Sequence, residues 1–84
     1  MAEKEIGVVT HYFTNIGVGT IKLTIDTLKV GETIHIKGHT SDFNQLVESM
    51  QVENKPVQEA KIGDIVGLKV KEHVREHDKV YKVV

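Results

Sequence analysis

Runs in which every second residue is apolar, and usually β-branched, constrain this chain more than any other feature. Ile21, Leu23 and Ile25 alternate with Lys22 and Thr24, and Ile34 and Ile36 alternate with Thr33, His35 and Lys37. Val66, Leu68 and Val70 alternate in the same way with Gly67, Lys69 and Lys71. A period of two sends one set of side chains to a core and the other to water, which is the signature of a half-buried strand. Branching at Cβ suits the pleated surface and restricts χ1 in a helix. The four aromatics, Tyr12, Phe13, Phe43 and Tyr81, are too few to fill a core. Val, Ile and Leu must build it, and an all-β fold is expected.

Glycines and turn formers punctuate the runs. Asn15-Ile16-Gly17 separates 7–13 from 18–25 and predicts a hairpin. Gly31 and Gly63 each stand between a hydrophobic residue and an acid that opens a new run, so both are expected at positive φ in tight turns. Gly67 lies inside a strand pattern, where a barrel corner or a close backbone approach would call for it. Asp26, Asp42, Asp64 and Asp78 fall at turns, where their carboxylates can cap local amides. Residues 44–52 read two ways. Leu46, Val47 and Met50 have helical spacing, but Ser49 and Val52 favour a strand with a bulge, which is the expectation.

Eighty-four residues suffice for one domain with one modest core. Short strands at this spacing fit a small closed antiparallel barrel of six or seven strands, because closure removes exposed edges. The barrel is expected over 5–84, with 1–4 as a short N-terminal tail. The lack of cysteine suggests a cytoplasmic protein, and no apolar run approaches the length of a membrane span.

The segment from Leu28 through Val30-Gly31-Glu32 to Gly38 resembles the barrel hairpin of translational GTPases. There the pattern is hydrophobic, Lys, hydrophobic, Gly, acid, then an alternating strand. Residues 47–52 are similar to that family's next strand, and Gly63-Asp64-Ile65-Val66-Gly67 to its Gly-Asp-x-Val-Gly strand. The match covers 28–70, and the chain as a whole looks like the small stand-alone translation elongation factor-like proteins. The resemblance implies the second domain of elongation factor Tu-like GTPases as the fold, and RNA or the ribosome as the partner. A related barrel also closes some U32-type peptidases, which gives the alternative of an adaptor docking onto a separate enzyme. By the same alignment, Gln51 and Ile65 stand where the family holds the aminoacylated tRNA end through a Glu and an Asn, so that pocket is not expected here.

The chemistry-bearing residues point away from catalysis. No phosphate-cradling Gly-x-x-x-x-Gly-Lys-Ser/Thr loop exists, so neither nucleotide nor cofactor is expected. Thr10, Thr14, Ser41 and Ser49 lack any nucleophile-elbow context. His73 and His77, like His35 and His39, are four apart, a metal-binding spacing on a helix but not on a strand or turn. No metal ligand and no catalytic residue is therefore assigned. The net charge of -1 and the scattered basic residues argue against strong nonspecific nucleic-acid binding. The candidate RNA or partner contacts are Lys69, Lys71, Tyr12, Phe43 and Lys37, basic residues beside aromatics that could stack bases, with Phe13 and Lys22 read beside them as further exposed positions. Against this, the aromatics could cap the barrel ends as core. The chain is expected to be a binding module and not an enzyme.

Overall fold

The computed structural model describes residues 2–84. The described residues are all-β: ten strands and no helix, hence no helix long and apolar enough to cross a membrane. In chain order the strands are β1 (Glu3–Phe13), β2 (Val18–Leu23), β3 (Leu28–Lys29), β4 (Thr33–Lys37) and β5 (Asp42–Leu46). β6 (Met50–Val52), β7 (Lys55–Val57), β8 (Glu59–Ala60), β9 (Ile65–Lys69) and β10 (Lys79–Val83) follow. Eight of them form one curled sheet in the order β5-β4-β10-β1-β2-β9-β6-β7, and β3 pairs with β8 in a short second ladder. Each pairing is antiparallel.

β1 is long enough to bend through both halves of the curl. It carries a bulge between Glu5 and Gly7 against β10, and another between Val9 and His11 against β2. Extra residues of this kind bend a strand and increase its twist. The curl encloses one core cluster in which Ile6, Ile21, Leu23, Leu28, Ile34, Ile36, Val66 and Val80 are fully buried. The alternating residues of β4 and β9 therefore face inward as their periodicity predicts.

Several expectations are corrected. There are ten strands where six or seven were expected, since β3, β7 and β8 are too short to leave a periodic signal. The ladder does not close: β5 and β7 stand at its two ends unpaired to each other. β1 begins at Glu3, inside the segment expected as a tail. Residues 44–52 are strand rather than helix, but they are not one bulged strand. β5 pairs with β4, the chain breaks at 47–49, and β6 pairs with β7 and β9. Ile25 is exposed, because β2 ends at Leu23 and Ile25 lies in the bend that follows.

The turns follow their local chemistry. Gly31 and Gly63 have φ of 97° and 96°. Asp26, Asp64 and Asp78 accept the N–H groups of Thr27, Lys61 and Arg75 at 2.7, 2.9 and 3.0 Å. Asp42 instead bonds a histidine. Gly67 needs neither a positive φ nor a close approach, since a Cβ there would meet only Val18 Cγ1 at 3.9 Å. The glycines in close contact are Gly7, whose Cβ would strike the Lys22 carbonyl, and Gly38, whose Cβ would strike the Asp78 carboxylate.

A candidate docking surface

Residues that face away from the core on β2 and β9 form a shallow floor. Val18 pairs with Phe13 of β1 and Lys69 of β9, Thr20 with Gly67, and Lys22 with Ile65. Gly67 also pairs with Gln51 of β6, so the centre of the floor has no side chain. One wall is the 14–17 turn carrying Ile16. The other is the β6–β7 hairpin, whose tip residues Glu53 and Asn54 both hold positive φ, 54° and 64°. Two positive φ values in a two-residue loop are what a type I′ turn requires. Between the walls lies a cleft of about 690 Å³.

Large apolar side chains crowd this cleft in the open. Ile16 is 61% exposed, Ile65 53% and Phe13 45%. Lys69 lies at one end and Glu53 and Asp64 at the other. Clustered exposed apolar residues with a polar rim mark a protein-interaction surface more readily than a reaction site. Ser49 and Thr20 also line the cleft, but no histidine does. The Thr20 hydroxyl is tied to that of Thr10 at 2.7 Å.

The residues singled out from sequence separate. Lys69 lines the cleft, and Lys71 lies just beyond it with its Nζ 6.0 Å from the centroid of the Phe43 ring. Of the two readings of the aromatics, the core reading holds for Phe43, which is only 7% exposed. It sits opposite Ile36 in the β4–β5 ladder and so faces inward. Tyr12 is half-buried, packed on the core and against His73 at 4.5 Å between ring centroids. Lys37 lies on β4 opposite Asp42, away from the cleft. Phe13, also read from sequence as an exposed position that could bind, lies on the surface, and Ile16 and Ile65, not read so, carry it with Phe13. Their signal in the sequence was apolar residues at a turn and on the outward phase of a strand.

Two charged clusters lie elsewhere. His35 is held between two carboxylates, its Nδ1 at 2.8 Å from Glu3 Oε1 and its Nε2 at 2.5 Å from Asp42 Oδ1. The bonds to Glu3 and then Asp42 raise its pKa, and the bond to His35 lowers that of Asp42. The clasp joins β1, β4 and β5. At one end of the curl, the mostly buried Lys82 reaches the Thr27 carbonyl at 3.1 Å, Asp26 at 3.4 Å and Glu32 at 3.5 Å. The Thr27 N–H, then Lys4, hold the Asp26 carboxyl down at about 2. His73 and His77 are both exposed. Among the described residues no three His, Asp or Glu side chains are grouped so as to hold a metal ion.

No protein-family model matches the chain. It is 44% identical over 78 residues to an uncharacterized protease of Methanocaldococcus jannaschii, and 33% identical over 78 residues to a collagenase of Porphyromonas gingivalis. Each match takes in 92% of this chain but only 19% and 22% of the relative. The chain thus spans about a fifth of the length of the curated relatives it matches. Its fold is that of the C-terminal domain of a Geobacillus thermoleovorans protein assigned as a U32 peptidase. The TM-score is 0.88 at 21% identity, covering 96% of this chain and 93% of that one. A selenomethionine variant of the same domain gives 0.85, also at 21% identity, over 92% of this chain and 96% of that one.

These similarities overturn the resemblance to translational GTPases and elongation factor-like proteins. The motifs behind it record turn geometry: Gly31 and Gly63 mark positive-φ corners of the kind any small β fold can use. The expectation of an RNA or ribosome partner rested on that resemblance and loses its support with it.

Proposed function

We propose that this chain is a non-catalytic docking module whose partner is the peptidase portion of a U32-type enzyme. The observation that carries the reading is the asymmetry of the matches. Nearly the whole chain aligns with about a fifth of proteins named as a protease and a collagenase. In this reading the remaining four fifths hold the peptidase chemistry, and this module covers or positions it. The cleft bearing Phe13, Ile16 and Ile65 is the surface that packs, because apolar side chains this exposed gain most from leaving water.

The test uses the M. jannaschii relative with its matching 78-residue segment removed. Binding of this chain in trans is measured by calorimetry and by co-elution. Association is expected, and Ile65→Asp should abolish it while leaving the melting temperature unchanged, since Ile65 is already half in water. If the two never associate, or if Ile65→Asp and Phe13→Ser bind as well as wild type, the reading is wrong.

A further inference from the structure

The ladder ends at β5, yet the seam between β5 and the chain leaving β9 is bridged by one side chain. Gln45 Nε2 donates to the Lys69 carbonyl at 2.8 Å, and Gln45 Oε1 accepts from the Lys71 N–H at 3.0 Å. These partners flank Val70, whose own N–H turns the other way to the Gly17 carbonyl at 3.0 Å. Among the described residues no backbone hydrogen bond joins β5 to 69–71. In a parallel ladder, one residue accepts from the N–H after its neighbour and donates to the carbonyl before it. The Gln45 amide therefore stands where the peptide groups of one strand residue would stand.

The surroundings say what strand would fit. A recess of about 470 Å³ runs along the seam, with Leu46, Ser49, Lys69, Val70 and Lys71 on its walls. Leu46 is 51% exposed and, like Lys69, lies on the outward phase of its strand, whereas Val70 is buried. Lys69 and Lys71 are exposed and make no ion pair among the described residues. Glu48 is the one acid on the recess. An edge strand beside a free backbone row is a template for an added chain.

We propose that this seam is a strand-addition site for an extended peptide segment of another protein, with carboxylate side chains facing Lys69 and Lys71. The incoming backbone displaces the Gln45 amide and takes over its two hydrogen bonds. No hydrogen bond is lost at 69–71, and the peptide gains the free edge of β5 and two ion pairs. Gln45 acts as a built-in competitor that keeps the seam satisfied when no peptide is bound. This recess adjoins the Phe13–Ile65 cleft but is separate chemistry, so the proposal does not rest on the peptidase reading.

The test is a ¹⁵N NMR titration of the whole chain with an end-capped pentapeptide of alternating Val and Glu. Shifts are expected at the Lys69 and Lys71 amides and at the Gln45 side-chain NH₂. Gln45→Ala should tighten binding about threefold to tenfold, because the peptide no longer displaces two hydrogen bonds. Lys69→Glu with Lys71→Glu should weaken it about fivefold and favour a Val–Lys peptide instead. If Gln45→Ala does not fold, Gln45→Leu serves, since it keeps the side-chain bulk and removes both hydrogen bonds without placing a carboxylate beside Lys69 and Lys71. An unmoved Lys71 amide, equal binding by a peptide N-methylated at its central residue, or weaker binding in the Gln45 variant would overturn the proposal.

Discussion

Replacing four glycines by alanine, one at a time, should give effects of opposite sign, and the structure sets each sign. Gly63 has φ of 96° with nothing within 4 Å of the added Cβ, so only backbone strain opposes the change. Left-handed conformations cost an L-residue about 1–2 kcal/mol, partly offset by about 0.4–1 kcal/mol from the stiffer unfolded chain. A net loss of about 1 kcal/mol is expected, and the same at Gly31, whose φ is 97°. Gly7 is worse: its Cβ would meet the Lys22 carbonyl and the backbone of Leu23, neither of which can rotate away. Overpacking against backbone in a central strand pair should cost about 3 kcal/mol. Gly67 lies in the middle of β9 at ordinary φ with its nearest contact at 3.9 Å. Alanine there removes glycine's excess entropy and should stabilise by about 0.5–1 kcal/mol. For a domain of this size each kcal/mol moves the melting temperature by roughly 4–8 °C. Thermal unfolding followed by circular dichroism should then rank Gly67→Ala above wild type, Gly31→Ala and Gly63→Ala below it, and Gly7→Ala lowest. If Gly67→Ala destabilises as much as Gly63→Ala, or Gly7→Ala is neutral, the close approach of β1 and β2 is misplaced. The same Gly67→Ala variant raises the floor of the cleft, so it should weaken docking while strengthening the fold.

Three further outcomes can be measured on the isolated chain. The pKa of His35 is raised in the fold, so its contribution is fully present below its ordinary value of 6.5 and is lost as pH rises through the folded value. Melting temperature should therefore fall as pH rises from 6.5 through the raised folded value in wild type, and a His35→Gln chain should lack that step. Asp26, held at about 2, contributes above its ordinary value of 3.8 and loses that contribution as pH falls toward 2; acid titration of Asp26→Asn should show a correspondingly smaller loss. Leu23→Ala, at a fully buried position, should cost about 2–5 kcal/mol in urea unfolding, whereas Ile25→Ala at an exposed bend should cost less than about 0.5 kcal/mol.

The all-β class, the hairpin at Asn15–Gly17 and the positive-φ corners at Gly31 and Gly63 were legible in the sequence. Each depends on a backbone preference that acts over a few residues: pleat alternation, steric limits on φ, or a short acid capping a nearby amide. What lay further away was not legible. Phe43 read either as a contact or as core until its place opposite Ile36 turned it inward, and Ile25 read as core although its strand ends before it. The His35 clasp brings Glu3 across 32 residues, and the Gln45 bridge reaches 24 and 26 residues along the chain. The docking surface depends on which strands are neighbours: Phe13, Val18 and Lys69 share a row only because β1, β2 and β9 pair in that order. Alternation fixes which face of a strand is apolar but says nothing of its partner. Partner choice, register and the open seam at β5 follow from how all the apolar faces can be buried at once, a condition on the whole chain that no local run of residues encodes.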